Sequence, residues 1–207
     1  MGRSVVAAGL VIGSGGNLSA RVPDSDTIWV TAAGTWLDRL ERSDFTQMNL
    51  VTGSVVSDGA SPPTTELALH LASYRARPDV RAIVHLHPQN ALLLDALGVR
   101  IRLVTTDHAF YLRRIVSTPY HRPGSAELAR VAAVAASDGT NCVLLAQHGC
   151  SVLGPSVELA HKRALYLDEA ARLTYRALVA GAIDALPERP TDVTVPRPRG
   201  ESEPASI

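Results

Sequence analysis

Two histidines in one apolar segment are the clearest chemical signal in the sequence. His85 and His87 lie in the run AIVHLHP at residues 82–88. Side chains two positions apart on a strand point to the same face, so both imidazoles could bind one metal ion. The alternative is a polar strand face whose histidines hydrogen-bond to other protein groups. The pair by itself leaves both interpretations open.

Two other segments carry groups that could complete a metal site. Glu66 and His70 are four residues apart in a predicted helix and therefore share one of its faces. His148 follows an apolar segment that predicts a strand. Three neutral imidazoles and one carboxylate form a zinc-type ligand set that leaves room for a substrate. The alternative for Glu66 and His70 is an ordinary side-chain pair on a solvated helix surface. We predict a solvated surface position for His70.

Two segments have the composition of an anion site. The turn GSGGN at residues 13–17 could present successive backbone N–H groups, and Thr64 and Thr65 stand at a helix start, where phosphate is favoured. A tight connection and a simple helix cap are the alternatives. The sequence contains neither GxxxxGKS/T nor GxGxxG, which excludes both nucleotide-binding fingerprints.

Composition limits the classes of function. The 207 residues are 46% hydrophobic and 19% charged, as in folded domains. With 20 basic and 20 acidic residues we expect a small-molecule ligand and no nucleic-acid or membrane partner. Two cysteines exclude a disulfide framework, and no segment reads as a signal peptide or membrane span, so we expect a cytoplasmic protein. The only lysine, Lys162, lies among polar residues, a poor setting for Schiff-base chemistry.

Strands and helices must position these groups, and hydrophobic periodicity predicts both. We predict strands over residues 18–22, 27–31, 50–56, 80–87, 100–104, 141–147 and 150–153. We predict helices that end near residue 12, run from 64 to 78, and cover 91–97, 126–136 and 157–180. Their mixture without an internal repeat indicates one α/β domain over residues 1–186. For the proline-rich residues 187–207 we predict a tail that is disordered or lies against a neighbouring molecule.

The order of these motifs resembles that of the class II aldolase/adducin family. The matching segments are GNLSAR at 16–21, VTAAG at 30–34, PTTE at 63–66 followed by His70, VHLH at 84–87 and LAQHG at 145–149. The similarity extends over residues 9–179. It implies a three-layer αβα sandwich around a mixed, largely antiparallel sheet.

The resemblance also implies a metal-dependent lyase site. Zinc, or another divalent transition metal, would be bound by His85, His87 and His148, with Glu66 as a ligand of the empty site. The metal would stabilise the enediolate left when a carbon–carbon bond breaks, and Glu66 would move a proton to or from its carbon. In the family a tyrosine from the neighbouring subunit protonates the leaving fragment, and Tyr111 is its nearest counterpart.

The family's phosphate site maps onto three short segments of this chain. The residues are Gly16, Asn17, Ala33, Gly34, Thr64 and Thr65. Two alanines, Ala32 and Ala33, replace the family's usual proline and hydroxyl residue, which removes a hydroxyl but keeps the backbone donors. The family's first helix is usually longer than residues 1–12 allow.

Three functions follow from the resemblance. The leading one is cleavage of a sugar phosphate like L-fuculose 1-phosphate to dihydroxyacetone phosphate and a small aldehyde. The second is decarboxylation of a phosphorylated 3-oxo sugar acid, because Arg122 in the loop PYHRPGS could bind a carboxylate; a surface salt bridge is its alternative role. The third is an adducin-like interaction module without catalysis. The family further implies a homotetramer with active sites at the subunit interfaces.

Overall fold

One mixed sheet organises the part of the chain that the computed structural model describes, residues 1–56 and 59–190. Its strands are β1 (Asn17–Arg21), β2 (Thr27–Thr31), β3 (Phe45–Asn49), β4 (Ala82–Leu86), β5 (Ile115–Thr118), β6 (Cys142–Leu145) and β7 (Gly149–Gly154). They lie in the order β3-β2-β1-β4-β7-β6-β5. Within the described residues, five strand pairings are antiparallel and only β5 with β6 is parallel. The expectation of a mixed, largely antiparallel sheet is confirmed.

Helices cover both faces of this sheet. They are α1 (Gly2–Ala7), α2 (Leu67–Ala76), α3 (Gln89–Ala96), α4 (Thr106–Leu112), α5 (Ala126–Ala136) and α6 (Val157–Val179), with short 3-10 turns at Leu37–Arg39, Arg42–Asp44 and Ile183–Ala185. Helices α1, α3, α4 and α6 pack on one face, and α2 and α5 pack on the other. The three-layer αβα sandwich that the resemblance implied is therefore confirmed. None of the described helices combines the length and apolar composition that crossing a bilayer requires.

Two apolar cores follow from the alternation of side chains along β4. Val84 belongs to the core that includes Leu167 of α6, whereas Ile83 belongs to the core that includes Leu69 of α2. All residues of β4 are buried. Because β4 pairs with β1 on one side and β7 on the other, the residues at its end are held firmly in place.

The strand at 27–31 and the helix at 126–136 have the predicted bounds, but the strand predicted over 50–56 is wrong. The strand lies earlier, at β3, because Asn49 ends it. Its Oδ1 atom accepts hydrogen bonds from the backbone N–H groups of Val51 (2.9 Å) and Thr52 (2.8 Å). This local turn, typical of asparagine, ends the strand, and the chain then returns to β3 through a single bridge between Val55 and Met48.

The strand predicted over 100–104 is also wrong. The Leu103 backbone N–H donates to the Glu188 carbonyl at 2.8 Å, and that of Arg102 donates to Thr174 Oγ1 at 2.9 Å. These two backbone N–H groups therefore do not take part in strand pairing. The edge strand is instead β5, which follows α4, and sequence periodicity missed both elements. The predicted tail beyond Pro190 lies outside the described residues.

The first helix ends at Ala7, before the predicted residue 12. Gly9 has φ 76°, and the Leu10 N–H donates back to the Val5 carbonyl at 3.0 Å. This left-handed glycine is a common way to end a helix. The chain then turns toward the end of β4, where the His87 N–H donates to the Leu10 carbonyl at 2.9 Å.

Candidate metal centre

The three predicted metal ligands meet at one edge of the sheet, where β4 ends and β7 begins. His85 lies in β4, His87 follows its last residue, and His148 lies in the turn before β7. Because β4 and β7 are antiparallel neighbours, with Leu86 opposite Cys150, these two strand ends are adjacent. The ligand nitrogens of the three histidines all lie within 4.8 Å of one another. The sheet therefore brings together residues that are 63 positions apart in sequence, from 85 to 148.

A glycine beside His148 makes room for the histidine rings. A Cβ atom on Gly149 would lie 2.7 Å from Cδ2 of His87 and 2.9 Å from Cε1 of His85. Real side chains do not tolerate such contacts, so only glycine lets the two rings approach this closely. The preceding residue, Gln147, has φ 56°, which bends the turn and points it back into β7.

Glu66, at the start of helix α2, contacts two of the three histidines. Helix α2 begins at Leu67 rather than at the predicted residue 64, so Glu66 stands at its N-terminal end. Its Oε2 atom lies 2.8 Å from Nε2 of His85, and Oε1 lies 3.2 Å from Nε2 of His148. Asn17 donates a third contact, from Nδ2 to Oε2 at 3.0 Å. The carboxylate is buried within the histidine cluster.

Burial keeps His87 and His148 suitable as metal ligands. Desolvation lowers the pKa of His87 to about 4 and also lowers the pKa of His148. Both rings are therefore neutral near pH 7 and keep a lone pair for a metal. Burial alone would raise the pKa of Glu66, but its hydrogen bonds to His85 and Asn17 and its electrostatic interactions with His85 and His148 outweigh this effect and hold that pKa at about 2. The carboxylate is thus ionised.

The donor set fits a divalent transition metal. The buried Oε1 atom of Glu66 accepts no well-directed hydrogen bond from any described residue, although His148 is close. A buried carboxylate oxygen surrounded by imidazole nitrogens is costly without a cation to bind. Imidazole nitrogen together with carboxylate oxygen is the ligand combination that zinc and its neighbours among the divalent metals accept.

A small cavity of about 190 Å³ opens directly beside this cluster. Its walls include Glu66 and His87 of the cluster. They also include all six residues of the predicted phosphate site: Gly16, Asn17, Ala33, Gly34, Thr64 and Thr65. The fold thus brings these separate segments together around one space.

Backbone donors around this cavity are suited to an anion. The N–H groups of Ala33 and Thr64 are used by the Pro62 and Thr31 carbonyls. The N–H groups of Gly16, Gly34 and Thr65 have no hydrogen-bond acceptor among residues 1–56 and 59–190. Unpaired N–H groups that line one space can form a nest of the kind that binds phosphate. In the predicted segments, the N–H groups of Gly16, Gly34 and Thr65 are therefore available to an anion, whereas those of Ala33 and Thr64 are not.

Tyr111 does not line this cavity within its own chain. It lies in α4, and its ring stacks on Tyr166 of α6, with the ring centroids 4.6 Å apart and the planes 10° apart. Its carbonyl accepts a hydrogen bond from Nε of Arg163 at 3.0 Å. A role for Tyr111 in catalysis therefore requires the site of a second copy of the chain.

Arg122 lies on a loop that touches the anion cavity. The loop approaches Thr65 so closely that a Cβ on Gly124 would lie 2.8 Å from the Thr65 carbonyl oxygen. Arg122 itself is exposed, and its own carbonyl accepts a hydrogen bond from the Ser125 N–H at 3.1 Å. The structure therefore places Gly124, two residues after Arg122, against the predicted phosphate segment, and among the described residues no hydrogen bond or ion pair joins the Arg122 guanidinium to that segment.

His70 is a site-associated residue that sequence reasoning placed wrongly. The predicted surface position is wrong, because His70 is fully buried and its Nε2 atom lies 2.5 Å from Oδ1 of Asn17. Asn17 in turn contacts Glu66. The sequence signal that could have found this contact is the pairing of Asn17 and Ser19, two apart on a strand, with Glu66 and His70, four apart on a helix.

Residues 1–175 match the family described as Class II Aldolase and Adducin N-terminal domain. An L-fuculose phosphate aldolase of Methanocaldococcus jannaschii is 35% identical over 164 residues, which are 79% of this chain and 86% of that protein. A 3-oxo-tetronate 4-phosphate decarboxylase of Haemophilus influenzae is 32% identical over 180 residues, 84% of this chain and 83% of that protein.

A solved structure has the same fold at similar sequence identity. YgbL from Klebsiella pneumoniae, whose description leaves aldolase, epimerase and decarboxylase open, matches with a TM-score of 0.78 and 31% identity. The match covers 90% of this chain and 93% of that one. The similarity thus extends over the sheet and both helical layers.

Proposed function

The chain belongs to the class II aldolase and adducin family, and from that premise we propose that it is a metal-dependent lyase that breaks a carbon–carbon bond in a phosphorylated sugar or sugar acid. One observation carries the proposal. The buried Glu66 carboxylate lies between His85 and His148, beside a cavity whose walls carry unpaired backbone donors.

His85, His87 and His148 would hold the metal, zinc or another divalent transition metal, with Glu66 as a further ligand in the absence of substrate. When bound, such a metal supplies Lewis acidity toward the carbonyl and hydroxyl oxygens of a keto sugar phosphate. The remaining steps depend on what the protein's own residues orient and protonate.

Glu66 is the group to which we assign proton transfer. Breaking the bond leaves an electron pair on the carbon beside the carbonyl, and this carbon must take up a proton before the product leaves. Asn17 holds Oε2 of Glu66 by a hydrogen bond from its amide, whereas Oε1 receives no well-directed hydrogen bond from any described residue. Oε1 is therefore the oxygen available to carry the proton.

The cavity beside the cluster would bind the substrate phosphate. The N–H groups of Gly16, Gly34 and Thr65 supply donors, and Thr65 adds a hydroxyl. Fixing the phosphate in this position would hold the reacting carbons next to Glu66, which raises the rate by orientation as well as by proton transfer.

The leading substrate is a sugar phosphate of the L-fuculose 1-phosphate type, cleaved to dihydroxyacetone phosphate and a small aldehyde. The M. jannaschii relative supports this choice. Tyr111 of a neighbouring subunit would exchange a proton with the oxygen of the aldehyde fragment. This role needs the active site to form between subunits, in agreement with a homotetramer and with the absence of Tyr111 from the cavity of its own chain.

Decarboxylation of a phosphorylated 3-oxo acid is the second candidate, and the loop carrying Arg122 favours it. Gly124 of this loop lies against Thr65 at the cavity, and the guanidinium of Arg122 would bind the carboxylate of a substrate that extends out of the cavity. An arginine binds a carboxylate through two parallel hydrogen bonds. The H. influenzae relative supports this alternative.

A non-catalytic interaction module of the adducin type is the third interpretation. A scaffold would gain nothing from burying a carboxylate and three imidazoles at one point, because each buried polar group costs free energy unless it is paired. This cost favours an enzyme.

A single coupled assay distinguishes the three interpretations. Both candidate substrates, L-fuculose 1-phosphate and 3-oxo-tetronate 4-phosphate, release dihydroxyacetone phosphate on cleavage, and this product can be reduced with a coupled dehydrogenase. Release from the sugar phosphate alone would support the aldolase, and release from the acid alone would support the decarboxylase. Release from neither, by protein with its metal bound, would overturn the lyase proposal for these substrates and favour the binding module.

A further inference from the structure

We propose that His70 is a positioning residue that fixes the orientation of the Glu66 carboxylate through Asn17. Behind Glu66, side chains form one hydrogen-bonded series, which we call the buried chain: Asn17, His70, Ser19 and Tyr74. The successive distances are 3.0 Å from Glu66 Oε2 to Asn17 Nδ2, 2.5 Å from Asn17 Oδ1 to His70 Nε2, 2.7 Å from His70 Nδ1 to Ser19 Oγ, and 2.9 Å from Ser19 Oγ to the Tyr74 hydroxyl.

The buried chain connects two elements through their regular spacing. Asn17 and Ser19 are two residues apart on β1, so they point to the same face of the sheet. His70 and Tyr74 are four residues apart on α2, which covers that face, and Glu66 precedes His70 by the same spacing. Side chains from the strand and the helix therefore alternate along the series.

Each hydrogen bond in the buried chain has one possible direction. An ionised Glu66 only accepts, so the Asn17 amide must present its NH₂ group to Oε2 and its oxygen to His70. That amide oxygen only accepts, so Nε2 of His70 carries the proton and donates. Nδ1 of the neutral ring then accepts from the Ser19 hydroxyl. The Ser19 oxygen is left to accept from the Tyr74 hydroxyl.

Burial protects these directions from solvent and from protonation. The exposed fraction is 5% for Asn17, 3% for Ser19 and 0% for His70 and Tyr74. Burial lowers the pKa of His70 to about 3 and raises the pKa of Tyr74 above its ordinary value. Both groups therefore stay neutral near pH 7, and the hydrogen-bond directions persist.

The direction of the hydrogen bonds in the buried chain matters because the Asn17 amide could otherwise flip and exchange the positions of its oxygen and its NH₂ group. If His70 no longer donated to Oδ1, the amide could rotate and place its oxygen against Oε2 of Glu66. Two acceptors in contact repel, so the carboxylate would rotate or move. His70 reaches no substrate, since it is fully buried, and acts only through Asn17.

The matched variants Ser19→Ala and Ser73→Ala test this role. Both remove one buried serine hydroxyl, but the Ser73 hydroxyl donates only to the Leu69 carbonyl of its own helix, at 2.8 Å. Ser19→Ala leaves Nδ1 of His70 without a donor and frees the ring to take the other tautomer. We expect Ser19→Ala to lower kcat about 10–100-fold with KM unchanged, as for other residues that orient a site residue from behind. We expect Ser73→Ala to leave both constants unchanged.

A second measurement does not depend on turnover. Long-range ¹H–¹⁵N spectra of the zinc-loaded protein report which ring nitrogen of each histidine carries the proton, and the His70 signals can be assigned by their loss in His70→Gln. The proposal expects a neutral His70 with the proton on Nε2 in the wild type and in Ser73→Ala. It expects an altered tautomer or tautomer mixture in Ser19→Ala. A wild-type His70 protonated on Nδ1, or on both nitrogens at pH 7, would overturn it.

The kinetic comparison and the spectra together separate this inference from the lyase proposal, on which it rests for the role of Glu66. Wild-type turnover with equal kcat in Ser19→Ala and Ser73→Ala would overturn the positioning role alone. Absence of turnover in the wild type would overturn the lyase proposal, while the spectra would still decide whether the buried chain has the assigned direction.

Discussion

Oε2 of Glu66 lies 2.8 Å from Nε2 of His85, although the two residues come from the start of α2 and from the central strand β4. The contact joins the proposed proton carrier to a proposed metal ligand. Substitutions can separate these two roles, because a histidine variant should lose the metal whereas a glutamate variant can keep it and still lose turnover.

Glu66→Gln should keep the metal and lose turnover. The amide matches the carboxylate in size and retains one oxygen, but it cannot exchange a proton with the substrate carbon. We expect kcat to fall about 10²–10⁴-fold, the usual contribution of general acid–base catalysis. Metal content by elemental analysis and kcat from the coupled assay check this. Glu169→Gln, which makes the same change at the exposed partner of His108, should behave as the wild type.

His87→Ala should lose both metal and turnover. The variant removes one of three nitrogens that converge within 4.8 Å, and the remaining ligands no longer make a closed set. Elemental analysis after dialysis should find metal well below one per chain. The control is His161→Ala, which removes an imidazole on α6 whose side-chain hydrogen bond, to Ser4, lies outside the histidine cluster. Full metal content in His87→Ala would contradict the ligand assignment.

Gly149→Ala should weaken metal binding without removing a ligand. The added methyl would lie 2.6 Å from the Leu86 carbonyl oxygen and within 3 Å of both histidine rings, so the rings must shift. We expect metal affinity to fall about 10–100-fold, as when ligand orientation is disturbed. Gly98→Ala adds the same methyl where no atom lies within 4 Å; its left-handed backbone, φ 69°, costs some stability, but its metal affinity should match the wild type. Competition with a chromophoric chelator measures both.

Two of the three proposed ligand histidines, His85 and His87, could be paired from sequence because their geometry is local. His85 and His87 share a face by the period of a strand, and that relation holds wherever β4 lies in the sheet. Their approach to Glu66 required the family resemblance, since nothing in the spacing shows that α2 packs beside β4. The structure supplies this contact at 2.8 Å.

The position of His70 could not be predicted because it depends on tertiary packing. A histidine four residues after a glutamate on a helix is as compatible with a solvated face as with a buried one. Only the packing of α2 over β1 decides, and it places Asn17 and Ser19 against the ring. The missed strand β5 has a similar cause, because four residues at a sheet edge carry little periodicity of their own.

Arg122→Met should distinguish the two candidate substrates. If a 3-oxo acid phosphate is the substrate, losing a charged hydrogen-bond pair should raise its KM about 10–100-fold. Turnover of a sugar phosphate, which carries no carboxylate, should be unchanged. Arg130→Met removes an exposed arginine that pairs with Glu127 at 2.6 Å on α5 and serves as the control. Equal loss of both activities in Arg122→Met would contradict the carboxylate-binding role.

Asp79→Asn should lower stability in a pH-dependent way. Arg77 binds Asp79 through two hydrogen bonds, of 2.7 and 2.6 Å, and these hold the pKa of Asp79 below its ordinary value. A lowered pKa in the folded state contributes stability above the unfolded pKa, and this contribution is lost as the pH falls through the folded pKa. Because the Asp79 side chain is 36% exposed, we expect the variant to lose only about 1 kcal/mol of unfolding free energy at pH 7.

Urea unfolding at several pH values measures that difference. The gap in unfolding free energy between wild type and Asp79→Asn should be constant from pH 7 to pH 5 and shrink below the ordinary carboxyl pKa of about 4. A gap that widened on acidification would have the wrong sign for this ion pair.

Activity as a function of bound metal tests the central claim most directly. The purified protein would be stripped with a chelator, reloaded with increasing zinc, and assayed at each step for dihydroxyacetone phosphate release from the two candidate substrates. The account predicts no release from the stripped protein and activity that rises in proportion to bound metal until each chain holds one ion. Full activity in the stripped protein, or no release of dihydroxyacetone phosphate from either substrate at full metal occupancy, would contradict it.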